Sequence, residues 1–178
     1  DLNISSLAKY LGGLIDIVPA FRPIDLQGGT GQHVTGDFVS LKNWGRCICL
    51  FHSAIGTAGD DPTITLRQAK DNADGSGKAL SIIDTIYTKQ AATDLLSTGV
   101  WTKVTQAAGA TYTEATSAEQ EALWAIEVRA EDLDVDGGFD HIRMTVADVG
   151  ANAQLGAGYY ILCDPKYPAA PANLLSPL

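Results

Sequence analysis

Cations are scarce in this chain: 12 Lys and Arg stand against 21 Asp and Glu, a formal charge of −9. The few cations are scattered singly, and such a surface repels a phosphate backbone, so no nucleic-acid partner is expected. Long apolar runs are missing as well. The longest, such as Tyr159-Tyr160-Ile161-Leu162-Cys163, fall far short of the roughly 20 residues a helix needs to cross a bilayer, which argues against a membrane partner. The opening Asp1-Leu2-Asn3-Ile4 has neither the basic nor the apolar region of a secretion signal. Cysteine occurs three times, an odd number, and Cys47 and Cys49 stand two apart on one expected strand, where a mutual bridge is disfavoured by geometry. A Cys-x-Cys without a second close pair is also a poor match to a structural zinc site, so apolar thiols in a reducing compartment are expected.

Motifs for chemistry are equally sparse. Nucleophilic catalysis needs a Ser, Cys or Thr beside an oriented base, and the three histidines, His33, His52 and His141, sit in no nucleophile motif such as Gly-x-Ser-x-Gly. Gly75-Ser76-Gly77-Lys78 resembles part of a phosphate-binding loop. Asn72 stands where that motif needs Gly, and Ala79 where it needs the magnesium-binding hydroxyl, so a hairpin loop is expected instead. No enzyme activity and no catalytic residue is predicted.

What the chain does have is a strong period of two. Thr63–Arg67, Trp124–Arg129 and His141–Val146 alternate apolar and polar residues, the mark of half-buried strands. Turn-forming clusters separate these runs: Gly56–Pro62, Asp74–Gly77, Asp136–Gly138 and Asp148–Gly150. Strands are expected near Phe38, Ile48, Ile64, Ile83, Val100, Ile126, Met144 and Ile161. At 178 residues these suit one all-β domain, a two-sheet antiparallel sandwich of jelly-roll-like form with extended N- and C-terminal arms. The division expected is an N-terminal arm over 1–33 with a short amphipathic segment, a sandwich over 34–164, and a Pro-rich C-terminal arm over 165–178. Apolar residues of the arms, Leu7, Leu11, Ile15, Phe21, Leu174 and Leu175, are candidates for contact with a partner. They equally suit arms folded back over their own sheets.

One acidic cluster has the outline of a metal site. Asp132, Asp134, Asp136 and Gly137 match the opening of a calcium loop, and Asp140 fills its ninth position. Arg143 stands where the bidentate Glu should be, and the flanks read as strands. The competing reading is an acidic hairpin turn with solvated carboxylates. Calcium through Asp132, Asp134, Asp136 and Asp140 is the single cofactor candidate.

Four segments together resemble proteins encoded among the head genes of tailed bacteriophages and prophages: Gly36–Trp44, Ala58–Leu66, Ala130–Asp134 and Val149–Gly156. The resemblance spans roughly residues 34–167 and implies a place in the virion, on the capsid surface, for a protein made in the bacterial host cytoplasm. Within that place it implies a structural protein, a capsid decoration or cement protein that binds the assembled shell and bridges major capsid subunits. It further implies a homo-oligomer, with a trimer as the working guess by analogy. The family supplies no catalytic residues. Two other readings stay open. One is a tail or head-completion ring component. The other is a glycan or host-surface binding module, for which Trp44, Trp101 and Trp124 are the aromatic candidates.

Overall fold

Alternating residues need a sheet to face, and the chain builds two. The computed structural model describes residues 10–91, 95–96, 99–113, 120–170, 173–174 and 176–178. Among them are eleven strands: β1 (Ile15–Asp25), β2 (Val39–Ser40), β3 (Trp44–Ser53), β4 (Thr63–Ala69), β5 (Lys78–Ala79), β6 (Ile83–Ala91), β7 (Thr102–Gly109), β8 (Thr111–Thr113), β9 (Glu121–Arg129), β10 (His141–Val146) and β11 (Leu155–Pro165). A six-stranded sheet runs β1-β11-β3-β9-β6-β7; a five-stranded one runs β2-β10-β4-β5, with β8 also paired to β4. Every pairing between these strands is antiparallel. The sheets pack face to face as an all-β sandwich. The pairs β3–β11, β4–β10 and β6–β9 are nested in sequence and alternate between the sheets, the winding of a jelly-roll-like fold.

Two expectations change here. Residues 15–25, expected within the N-terminal arm, form β1, which pairs along β11 from Ile15↔Cys163 to Asp25↔Leu155. Pro19 and Pro23 hid this strand in the sequence. Proline is tolerated because β1 is an edge, and register shifts flank Phe21. No strand is centred on Val100, which is exposed and precedes β7. The expected helical spacing from Ile4 to Ile15 falls mostly outside the described residues. Its visible end, Tyr10–Gly13, is broken by an extended Leu11 and a positive φ of 80° at Gly12.

The core forms where the inward faces meet. Phe51 packs on Trp124 at 5.2 Å between ring centroids, Tyr112 meets Trp124 edge-on at 5.4 Å, and Phe21 lies 6.2 Å from Phe51. Such tilted aromatic contacts add to the burial of large apolar area. Gly158 has a structural reason to be glycine: a Cβ there would come within 2.5 Å of the Phe21 ring and 2.8 Å of the Met144 methyl.

Tyr160 ties one sheet to the other. From β11 it is fully buried, and its hydroxyl accepts the Met144 N–H of β10 at 2.8 Å and donates to the Asp37 carbonyl at 3.1 Å. β2 is only two residues long, pairing Val39 and Ser40 with Ile142 and His141, so beyond it, among the described residues, the edge of β10 has no strand to bond. The phenol supplies that partner. Burial, the main cause, pushes its pKa well above 10, so it remains a neutral donor.

Candidate docking face

Antiparallel sheets with one wet face normally alternate cleanly between apolar and polar. The six-stranded sheet does not. β3 turns Cys47, Cys49 and Phe51 into the core, so Ile48 and Leu50 point to the other side of the same strand. β9 buries Trp124, Ile126 and Val128 and turns Leu123 and Ala125 outward. β11 buries Tyr160 and Leu162 and turns Tyr159 and Ile161 outward.

Strand register lines these residues up. One row crosses the whole sheet as Pro19, Tyr159, Leu50, Ala125, Tyr87 and Lys103, each opposite the next. The row beside it reads Ile17, Ile161, Ile48 and Glu127. On the other side lies Ala157, His52, Leu123 and Lys89. Ile17 is 51% exposed and Tyr87 43%, while Ile48, Leu50, Tyr159 and Ile161 are half-buried by their neighbours. With strands about 4.8 Å apart and same-face residues about 6.8 Å apart, the ten apolar positions of these rows cover roughly 330 Å². A contiguous apolar patch of that size is comparable to the largest patch on a typical monomer, which is often a functional surface.

Charge is kept to the rim. At one end Arg46 donates to Asp164 at 2.6 Å and Glu127 at 3.3 Å, and Arg129 pairs with Glu131 at 3.4 Å. The hydrogen bond to Asp164, then that to Glu127, raises the Arg46 pKa, so the guanidinium stays charged. At the other end His52 meets Glu121 at 3.0 Å. This is the layout of an interface with an apolar centre and a polar, solvated edge.

The arm residues come out differently from expectation. Leu7 and Leu175 lie outside the described residues. Leu11 is exposed and Ile15 half-buried, near the β1 edge of the face. Phe21 is corrected: it is a core residue, 3% exposed and packed on Phe51, and cannot meet a partner. Leu174 packs partly buried against the core. The described parts of both arms bond to their own molecule, Ala169 N–H to the Gly12 carbonyl at 3.1 Å and Ser40 N–H to the Pro177 carbonyl at 2.8 Å.

Three of the four aspartates of the calcium reading are occupied separately. Asp132 accepts the Arg129 N–H at 2.8 Å, closing the 3₁₀ turn Ala130–Asp132. Asp134 accepts the Gly137 N–H at 3.0 Å and pairs with Lys78 at 2.5 Å, with the Lys78 bond the main cause of its lowered pKa. Asp140 bonds the His141 ring at 2.5 Å, and Asp136 is exposed. Among the described residues no three His, Cys, Asp or Glu side chains are grouped to hold a metal.

Other candidates disperse in the same way. His33 is buried, donating from Nδ1 to the Val146 carbonyl at 2.9 Å, while His52 pairs with Glu121 and His141 with Asp140. Cys47 and Cys49 are free and buried in the core, and burial raises the Cys47 pKa well above 9.0, which holds it as an unreactive thiol. Trp44 and Trp124 are buried; Trp101 is 40% exposed, with Lys89 Nζ 4.9 Å over its ring. On the outer face of the smaller sheet Arg67 and Arg143 stand opposite each other, bridged by Asp74 at 3.4 and 2.8 Å. That cluster is internally paired and packs against Phe38, whose ring lies 4.6 Å from the Arg143 guanidinium.

The apolar face had a sequence signal that alternation alone overlooks. Cys47-Ile48-Cys49-Leu50-Phe51 and Tyr159–Cys163 are continuous apolar runs, which in a strand mean that both faces are apolar. Compared with known proteins, this chain matches no family model, no curated protein and no solved structure.

Proposed function

We propose that this protein is a structural component of a tailed-bacteriophage particle, a decoration protein that binds the assembled shell and bridges neighbouring major capsid subunits. The observation that carries the reading is the apolar outer face of the six-stranded sheet, ringed by ion pairs. The resemblance of Gly36–Trp44, Ala58–Leu66, Ala130–Asp134 and Val149–Gly156 to phage head-gene products supports a partner among shell subunits. In this reading Leu50, Ile48, Tyr159 and Ile161 lie on the shell.

Size also fits. A stable pairwise interface buries about 800 Å² per partner, and the apolar face offers roughly 330 Å². One copy therefore binds weakly, and firm attachment comes from many sites on a repeating lattice. A protein of this kind binds the assembled shell and not the free subunit, and stabilises the shell by mass action.

The test is co-sedimentation with shells of the encoding phage or prophage assembled without this protein. Saturable binding by the wild type, lost in Leu50→Asp with an unchanged circular dichroism spectrum, is the expected result. No binding of wild type to intact shells would refute the reading.

A further inference from the structure

Among the described residues Asp164 alone, glycine aside, takes a positive φ, 55°. It also precedes Pro165, a position that favours extended backbone, so its left-handed conformation is strained on two counts. The strain is held from both sides. Arg46 donates from Nε to the Asp164 carboxylate at 2.6 Å, and Gly45 makes room, since a Cβ there would stand 3.0 Å from that of Asp164. This kink sets the course of the chain beyond it. Pro165 stands opposite Trp44 and the Lys166 N–H reaches the Asn43 carbonyl at 2.8 Å; the chain then leaves β11 and folds back over its own body.

It folds onto an edge. β2 is an outer strand of the smaller sheet, and the Ser40 N–H donates to the Pro177 carbonyl at 2.8 Å, as an edge does to an added strand. The fit is loose. Cavities of about 480 Å³ beside Ser40, His141 and Pro177, about 280 Å³ beside Phe21 and Leu178, and about 370 Å³ beside Trp44 and Leu174 flank the segment. Tyr167 is 76% exposed and Leu178 50%. Pro165, Pro168 and Pro177 keep the segment extended, with few bonds of its own to lose on leaving.

We propose that Asp164 is a hinge: relaxed to extended backbone, it sends residues 165–178 to the β2 edge of a second copy, whose own segment returns the contact. The occupant is a second copy because the chain's own segment is what this edge already accepts. Reciprocal exchange rebuilds each contact of the closed chain, Pro177 on Ser40 included, so little is lost in the dimer. Strain in the hinge favours the exchange, and each dimer relaxes two hinges. Extended, residues 165–178 reach roughly 45 Å, enough to cross to a neighbour. Dilution favours the closed chain, whose segment sees its own edge at an effective concentration of about millimolar. The exchange does not depend on the shell reading and is measured without shells.

The experiment is sedimentation equilibrium of the purified full chain over a concentration series, beside three variants. The wild type is expected to dimerise as concentration rises, and a chain ended after Lys166 to stay monomeric with an unchanged circular dichroism spectrum. Arg46→Gln frees the hinge of an exposed ion pair worth about threefold, and two hinges make the dimer about tenfold tighter. Adding Asp164→Gly to Arg46→Gln removes the strain with no ion pair left to lose, and should loosen that dimer by at least about tenfold. If the shortened chain loses its fold, the Arg46 and Asp164 variants decide alone. An Arg46→Gln chain monomeric throughout, a dimer that survives loss of residues 167–178, or a dimer left as tight by the added Asp164→Gly, would overturn the proposal.

Discussion

Tyr160→Phe removes one oxygen and nothing else, which makes it a clean probe of how the two sheets are held in register. The ring stays and the packing area hardly changes. What is lost is the acceptor for the Met144 N–H at 2.8 Å and the donor to the Asp37 carbonyl at 3.1 Å. Tyr160 is fully buried, so water cannot replace the hydroxyl without a rearrangement. A buried backbone group left unpaired costs about 1 to 3 kcal/mol, and the N–H is the more costly of the two. The total expected is about 2 to 4 kcal/mol. For a chain of this length each kcal/mol moves the melting temperature by about 2 to 4 °C, so a fall of at least about 4 °C should appear by calorimetry. Urea titration should show the same loss as a lower midpoint at unchanged m-value. A loss below about 0.5 kcal/mol, the range of a neutral surface change, would refute the view that this hydroxyl closes the edge of β10.

Three further outcomes follow from the structure. Gly158→Ala forces a methyl into the Phe21 ring and the Met144 methyl and should destabilise by about 1 to 3 kcal/mol; a neutral result by urea titration would mean that the sheets are free to separate there. Asp74→Ala leaves Arg67 and the nearly buried Arg143 without their shared carboxylate and should cost about 1 to 2 kcal/mol, since Asp74 itself is half exposed; Asp74→Asn should recover part of it. Asp60, held chiefly by the Asn152 side chain, and Asp148, held chiefly by the Gly28 and then the Gly150 N–H, have pKa values below their ordinary 3.8. Their ionised forms stabilise the fold above the ordinary carboxylate range, and that contribution disappears as pH falls through the lowered values. Acid titration should therefore show a loss of stability below about pH 4 that is smaller in Asp60→Asn; an identical acid limb would exclude a role for that carboxylate.

The sandwich was legible in the sequence wherever one face of a strand is polar. The alternation of Thr63–Arg67, Trp124–Arg129 and His141–Val146 places β4, β9 and β10, and the Asp-Gly clusters place the turns between them. β1 was not legible, because Pro19 and Pro23 read as arm until the β11 edge supplies a setting where a missing N–H is harmless. β5 and β8 are too short to show a period. The docking face was concealed for a different reason. Alternation is a contrast signal, and in Cys47–Phe51 and Tyr159–Cys163 both faces are apolar, so the contrast vanishes where the surface of most interest lies. The acidic loop shows the opposite failure: its spacing resembles a calcium loop, yet Asp132 and Asp134 are recruited to close their own turns, a fate that spacing alone does not reveal.

The face assignment is tested most directly by hydrogen–deuterium exchange of this protein free and bound to shells that lack it. Slowed exchange is expected over β3, β9 and β11, the strands that present Ile48, Leu50, Leu123, Tyr159 and Ile161, with β4 and β10 unchanged. Protection confined to the smaller sheet, or to the chain ends beyond β1 and β11, would contradict it.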